Sequence, residues 1–495
     1  MKLHINGDIN EYYVQTLCMI FFPGEKFSGE EEEGAPVLYL DVTEETDVIT
    51  ATAKLLYQGK ESTATKQIVL TGEFTKDRCR KIVIGHAILS AVGELMHYRP
   101  SWGMLTGVRP SKVATELLLS GMSKTRVRKA LTANYMVIPK KAALATDVAL
   151  REQQIIGNPD ARDCSVYISI PFCPTRCSYC SFVSYTSKRL LSLIPDYLIL
   201  LCQEIRTKFE AIRELGLNVL TVYIGGGTPT ILDATQLRTL LSTIAACTDV
   251  SRLREFTLES GRPDTIDAEK MAIAKAYGVT RVCFNPQTLC DEVLKGVGRC
   301  HSAEDFYRAY DIARKSGIDC INTDLIVGLP GDTFGTFAET YDEILRLDPE
   351  NITVHTFCVK KAAEILREGK RVYNLRGGDA GKCVDYSQIR AAEAGYLPYY
   401  MYRQKNMVGN FENVGFAKPG TECLYNIYMM EEIHSIFAAG AGAVTKLVDY
   451  APAGSGKKSV IQRLFNDKYP YEYLNSDGGR TQAEQIVQFY RERGF

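Results

Sequence analysis

No uninterrupted apolar run in this chain reaches the ~20 residues that a helix needs to cross a bilayer, so no membrane-spanning segment is expected. Charge of one sign is also lacking. Lys and Arg total 58 against 59 Asp and Glu, a formal net charge of −1, and no global basic field draws the chain onto nucleic acid. There is no short-period repeat, low-complexity tract or long linker. The opening residues, Met1-Lys2-Leu3-His4-Ile5-Asn6-Gly7, lack the charged-then-apolar layout of a signal peptide and read as the start of a strand.

Cysteine, by contrast, is plentiful. Fifteen thiols, an odd number scattered over 495 residues with no export signal, argue against a disulfide framework and for a reducing cytoplasm. Several, such as Cys18, Cys202, Cys247 and Cys320, read as small buried hydrophobes. The length exceeds what one core can use and implies about two to four domains. At 45% hydrophobic and 24% charged residues, the composition is that of an ordinary globular protein.

Three regions are expected. Residues 1–155 read as an α/β domain. Strand-like runs at Met1–Asn6, Pro36–Val42, Thr46–Tyr57 and Lys66–Thr71 precede a helix from about Lys76 to His97 and several shorter ones. The acidic stretch Gly29–Gly34 reads as a solvated loop. Residues 160–375 alternate strictly. Strands at Cys164–Ile170, Val219–Ile224, Glu255–Glu259, Arg281–Phe284, Cys320–Ile326 and Asn351–Phe357 are separated by helical segments near 190–215, 234–246, 268–277, 303–316 and 333–347. Such alternation implies a parallel sheet, and a partial barrel and a doubly wound sheet both fit it. In either, functional groups belong at the C-terminal ends of the strands. After Leu375 the alternation stops, and residues 376–495, rich in Tyr, Gly and Asn, form a mixed third section expected to close the barrel mouth.

The first of these strands runs into Cys173-Pro174-Thr175-Arg176-Cys177-Ser178-Tyr179-Cys180. Three thiolates at this spacing can each ligate one iron of a cubane cluster, where most iron–sulfur proteins supply four. The open iron can then chelate the amino and carboxylate groups of S-adenosylmethionine (SAM), and electron transfer into the sulfonium releases methionine and a 5′-deoxyadenosyl radical. Structural zinc favours paired cysteine arms with four ligands, and no second Cys or His pair lies nearby in sequence. One strand later, Gly225-Gly226-Gly227-Thr228-Pro229-Thr230 would let backbone groups approach a ligand closely. Glu259 ends the third strand, Gln287 follows the fourth and Asp324 lies in the C-terminal part of the fifth, and Arg299 could pair with a carboxylate.

These motifs, together with Tyr167–Pro174, Gly298-Arg299 and Asp324–Gly331, resemble the oxygen-independent coproporphyrinogen III oxidase family of radical SAM enzymes. The likeness runs from Tyr167 to about Val448. Within that group the long N-terminal extension, Gly261-Arg262-Pro263-Asp264-Thr265, Tyr399–Asn406 and Glu412–Gly420 are similar to the HemZ branch. The resemblance implies a partial (β/α)6 barrel, a [4Fe–4S] cluster on Cys173, Cys177 and Cys180, and SAM contacts at Tyr167, Tyr179, Gly226, Gly227, Thr228 and Glu259. Gln287, Arg299 and Asp324 match family positions that hold a second SAM, so one or two molecules are expected.

The implied reaction is oxidative decarboxylation of two coproporphyrinogen III propionates to vinyl groups, fed by an electron donor such as flavodoxin or ferredoxin and carried out by a monomer in the cytoplasm. A tetra-acid substrate calls for cations around the pocket. Arg403 and Lys405 are the candidates, with Lys418, while Tyr167 is expected at the chemistry itself. Two positions depart from the HemN pattern: Phe182 replaces a further cysteine, and Ser169 replaces a histidine. Phe182 follows the HemW-like pattern of heme chaperones. A heme-binding chaperone, with His355 the best of the axial candidates His301, His355 and His434, is therefore one alternative. Another SAM-radical reaction on heme or a porphyrin is the other.

Overall fold

The computed structural model describes residues 1–27, 34–180, 182, 184–358, 378–404, 407–451 and 459–495. Most of the acidic stretch 29–34 and the candidate Lys405 lie outside the described residues. The chain divides into two compact units. The first comprises Met1–Leu150, Tyr373–Gly381 and Met401–Glu412, and the second Arg151–Val372, Lys382–Tyr400 and Asn413–Phe495. The section from 376 onward, expected as a region of its own, is thus shared between the two units.

In the first unit β1 (Lys2–Asn6), β2 (Val37–Glu45), β3 (Val48–Tyr57) and β4 (Lys60–Val69) form a sheet in that order. β1 runs parallel to β2, and the remaining pairs are antiparallel. Alternation gives the sheet one buried face: Ile49, Ala51, Ala53 and Leu55 of β3 are buried, and the residues between them are not. The helix Lys76–Met96 packs on β3 and β4, and the Thr75 hydroxyl caps it by accepting from the Arg78 N–H. β4 starts six residues before its expected position. Gln58 and Gly59, both at positive φ (50° and 71°), make the two-residue turn that pairs Lys60 with Tyr57. The polar run Lys60–Lys66 conceals this strand because it lies largely exposed.

The second unit is built on β5 (Asp163–Ile170), β6 (Asn218–Gly226), β7 (Glu255–Glu259), β8 (Arg281–Gln287), β9 (Cys320–Val327) and β10 (Asn351–Thr356). These six lie side by side in sequence order, all parallel. A doubly wound sheet would reverse its order at a switch point. This one does not, and it has the strand order of a partial barrel. The helices Ile194–Glu214, Ala234–Cys247, Ala268–Ala276, Ala303–Lys315 and Phe334–Leu347 connect the strands. Burial on both faces explains the near-continuous apolar strands; β8 is buried at every position.

Five further strands extend the sheet: β11 (Leu397–Tyr402), β12 (Asn413–Ala417), β13 (Ser435–Ala439), β14 (Val444–Asp449) and β15 (Val460–Phe465). β12 pairs antiparallel with β10, with β11 beyond it, while β13 joins β5 in parallel and β14 and β15 follow. Strands of the section expected to close the mouth lengthen both edges of the sheet. An open six-stranded sheet exposes two rows of unpaired N–H and C=O groups, and these strands occupy them.

Buried Glu204 ties the β13 edge to the helix Ile194–Glu214. Its carboxylate accepts from the Gly440 N–H at 2.9 Å, the Asn466 amide at 2.9 Å and the Tyr473 hydroxyl at 2.6 Å, with Lys208 3.9 Å away. Removing it strands several buried donors and a buried ammonium. Glu204→Ala should destabilise the second unit by about 3–5 kcal/mol, read as an earlier urea transition. An unmoved transition would show that these bonds do not hold the edge strands.

Candidate active site

At the C-terminal end of β5 the chain turns into the cysteine loop, which is fastened on three sides. Phe172 bridges to Tyr185, with the Cys173 N–H donating to the Tyr185 carbonyl at 3.1 Å. The Gly227 and Thr228 N–H groups, at the end of β6, each donate at 2.8 Å to the Ile170 and Phe172 carbonyls. From the far side the Ser178 N–H donates to the Val297 carbonyl at 3.0 Å. A Cβ at Gly227 would lie 2.5 Å from the Phe172 oxygen and 3.0 Å from the Cys173 sulfur, so only glycine permits this approach.

Cys173 and Cys177 are buried, and Cys180 is half-buried. The Cys173 thiol feels the charge of Cys180 and Cys177, and Cys180 that of Cys177. Burial pushes the Cys173 thiol up to about 11, against a bond with the Thr228 hydroxyl (3.2 Å) and the charge of Arg262. Among the described residues no three His, Cys, Asp or Glu groups gather closely enough for a single metal ion. A cubane asks for a different arrangement, one thiolate on each of three irons. Three neighbouring thiols on one braced loop fit that demand.

The neighbouring strand ends supply polar groups. Glu259 closes β7, and burial first, then the negative charge of Asp324 on β9, raises its carboxyl to about 8; a bond from the Gly226 N–H opposes the rise. Asp324 lies 3.5 Å from Nε2 of His355. Gln287 closes β8 at a φ of +69°, a conformation L-residues rarely adopt. Its Oε1, with Ser260 Oγ and Asn285 Oδ1, is buried with no hydrogen-bond partner among the described residues. Buried polar atoms without partners are uncommon in folded proteins. Three of them at the ends of two adjacent strands fit a polar ligand such as SAM.

Tyr167 stacks with Tyr223 and Tyr425, the latter from the helix Leu424–Glu431, at centroid distances of 6.1 Å each; Tyr223 and Tyr425 lie 4.5 Å apart. Burial raises the Tyr167 phenol above its ordinary value. Tyr179 accepts from Nε of Arg299 at 3.2 Å, and Arg299 also donates to the carbonyls of Asn285 (2.6 Å) and Gly261 (3.3 Å). Arg299 therefore lies beside the cysteine loop, and its guanidinium is engaged there by the protein. The Ser169 hydroxyl donates to the Ala441 carbonyl at 3.0 Å, and Phe182 is 68% exposed.

The substrate-side cations do not follow expectation. Arg403 is buried within the first unit, where its guanidinium donates to the Leu105 and Asn410 carbonyls and lies 5.7 Å from the Trp102 ring centroid. Desolvation lowers it to about 10. It is a packing group of that unit rather than a free cation for a propionate. Lys418 is displaced in another way. Ala417 pairs with Asn351, the first residue of β10, so Lys418 lies at the N-terminal end of the sheet, opposite the cysteine loop. There it pairs with Asp348 at 2.8 Å. Lys405 lies outside the described residues.

Sequence reasoning missed Tyr223, Tyr425, Ser260, Asn285 and Arg262. Nothing in a tyrosine-rich tail singles out Tyr425. Arg262 stood within a quoted motif but was given no role, although its guanidinium donates to Thr175 at 2.7 Å and lies 3.6 Å from the Cys177 sulfur.

Residues 167–344 match the Radical SAM superfamily. Over 93% of its length the chain is 34% identical to the Bacillus subtilis oxygen-independent coproporphyrinogen-III oxidase-like protein HemZ, of which 92% is covered. It is 33% identical to the Bacillus subtilis heme chaperone HemW over 65% of this chain and 81% of that one. The solved coproporphyrinogen III oxidase (HemN) from Escherichia coli, a radical SAM enzyme, is similar at 22% identity over 60% of this chain and 67% of that one, with a TM-score of 0.47. A three-cysteine loop at the head of a parallel βα array, and a likeness to HemZ that spans both units, have one reading: the chain belongs to the HemZ family of oxygen-independent coproporphyrinogen-III oxidase-like proteins within the radical SAM superfamily, whose cofactors are a [4Fe–4S] cluster and SAM.

Proposed function

We propose that this protein acts on a tetrapyrrole, and that its reaction is the oxygen-independent oxidative decarboxylation of coproporphyrinogen III propionates to vinyl groups. The likeness to HemZ over nearly the whole chain is the observation that carries this reading. In the reaction each propionate loses a β-carbon hydrogen atom, CO2 and one electron. Bound to Cys173, Cys177 and Cys180, the cluster and its SAM supply hydrogen-atom abstraction when a donor such as flavodoxin or ferredoxin provides an electron. Every other part falls to the chain. Thr228 and Arg262 favour the thiolate form of Cys173 against the burial that opposes it. Glu259 holds a proton because burial and Asp324 disfavour its ionised form, and it can release that proton to meet a bound ammonium group. The unpartnered oxygens of Ser260, Asn285 and Gln287 offer acceptors to a polar ligand. The stacked phenols of Tyr167, Tyr223 and Tyr425 form a flat wall that excludes water.

One observation favours a second reading, stoichiometric heme binding in the manner of a chaperone. Phe182, whose type follows the HemW-like pattern, is exposed, and HemW of Bacillus subtilis is 33% identical over 65% of the chain. The two readings separate in one anaerobic experiment with reconstituted protein, SAM, a strong reductant and coproporphyrinogen III. Loss of two CO2 per substrate by mass spectrometry is the expected result. Deoxyadenosine without a porphyrin product, together with tight heme binding, would replace decarboxylation by the chaperone reading. Cys177→Ala should abolish SAM cleavage altogether, and cleavage that persists would refute the ligand assignment.

The Glu259 carboxyl gives a prediction in cluster-free protein. The fold holds its proton more tightly than the unfolded chain, because burial and Asp324 disfavour the ionised form. The associated stability is complete below the ordinary value of 4.5 and is lost as pH rises through about 8. Melting temperatures of the wild type should therefore fall across that window, and those of Glu259→Gln should fall less. Parallel curves for the two proteins would show that Glu259 is not the group responsible.

A further inference from the structure

We propose that Arg262 is a positioning residue for the cluster, donating to the Cys177 sulfur and thereby raising the potential at which the cluster accepts its electron. The inference rests on the ligand assignment above. Arg262 follows β7 in the turn Gly261-Arg262-Pro263-Asp264 and is 3% exposed. Three partners fix its planar fork. Nη2 donates to the Thr175 hydroxyl at 2.7 Å, Nε to Asp264 Oδ1 at 3.2 Å, and Nη1 reaches the Cys177 sulfur at 3.6 Å. Thr175 and Cys177 belong to the cysteine loop, so the arginine grips that loop at two points.

A second guanidinium lies at the same thiol. Arg299 also interacts with the Cys177 thiol, and the two guanidiniums repel each other. His301 registers both cations: burial first, then the two arginines, hold it down to about 4, so it adds no charge of its own. Asp264 offsets Arg262, from a position that is 30% exposed. Burying two like charges against one carboxylate is unfavourable unless an anion is present. Three thiolates on a doubly positive cubane give that anion, and one-electron reduction makes it more negative still. N–H donors and positive charge at the sulfur stabilise the reduced form more than the oxidised one, which raises the potential. In the half-reaction one electron enters from a low-potential donor and no atom is transferred.

The test is an anaerobic redox titration of the reconstituted protein without substrate, followed by electron paramagnetic resonance, for the wild type, Arg262→Met, Arg262→Lys and Asp264→Asn. Arg262→Met should move the midpoint to lower potential by at least about 59 mV, a tenfold smaller reduced-to-oxidised ratio at a fixed donor potential. Arg262→Lys, which keeps the charge but not the fork, should shift less. Asp264→Asn removes the offsetting negative charge and should shift the midpoint upward. An arginine that merely braces the loop would leave the midpoint unmoved in every variant that takes up a cluster, and that result overturns the proposal, as does a shift of the same sign in Arg262→Met and Asp264→Asn. If Arg262→Met takes up no cluster, the lysine and asparagine variants decide by the same signs. A wild type that binds no cluster at all would instead remove the ligand assignment, and this inference with it.

Discussion

The contact on which the second unit's chemistry depends is the seating of the cysteine loop against the end of β6. Two N–H groups, of Gly227 and Thr228, donate to the carbonyls of Ile170 and Phe172, and no side chain fits at residue 227. Adjacent parallel strands make this possible, because β5 and β6 end at the same level and each hands its chain to a loop on the same side of the sheet. The thiols then face the remaining strand ends. Had the sheet been doubly wound, β5 would have lain at a switch point, and β7 to β9 could not have presented Glu259, Gln287 and Asp324 in succession beside it.

That arrangement explains which parts were legible in sequence. The six central strands are covered on both faces, so they appear as short apolar runs at regular intervals, and the helices between them carry capping residues such as Asp233, Ser302 and Thr333. Cysteine spacing and a glycine triplet are constraints of covalent geometry and close approach, and both survive in the primary structure. The added strands were harder. β13, Ser435–Ala439, is only five residues, set between distant β5 on one side and β14 on the other, and its pairing with β5 spans about 270 positions along the chain. β4 is polar and largely exposed, and its turn at Gln58-Gly59 carries less information than an Asn-Gly would.

Charge was the least legible property, because composition does not say at which end of a strand a cation stands or whether it is buried. Arg403 and Lys418 lie in polar, aromatic-rich segments that suggested a pocket rim, yet the fold spends one on backbone carbonyls beside Trp102 and the other on Asp348 at the opposite end of β10. Arg262 looked equally ordinary in sequence. Its significance comes from three partners separated by two to 87 positions along the chain.

The groups that the chain itself brings to the site are electrostatically unsettled, and in a consistent pattern. On the strand ends Glu259 retains a proton well above its ordinary value, and beside the loop two guanidiniums crowd one thiol. Three buried oxygens in the same region lack hydrogen-bond partners among the described residues. Each is a cost in a fold that could have placed apolar groups there, and native structures carry few such costs outside functional sites. The costs also differ in sign. Carboxyl groups and unpartnered acceptors ask for donors and positive charge, whereas the arginines ask for negative charge. A ligand that brings only one sign would relieve half of the site and burden the other. An anionic cluster together with a ligand bearing an ammonium group satisfies both halves, which is the physical reason for both kinds of group to stand within one set of strand ends.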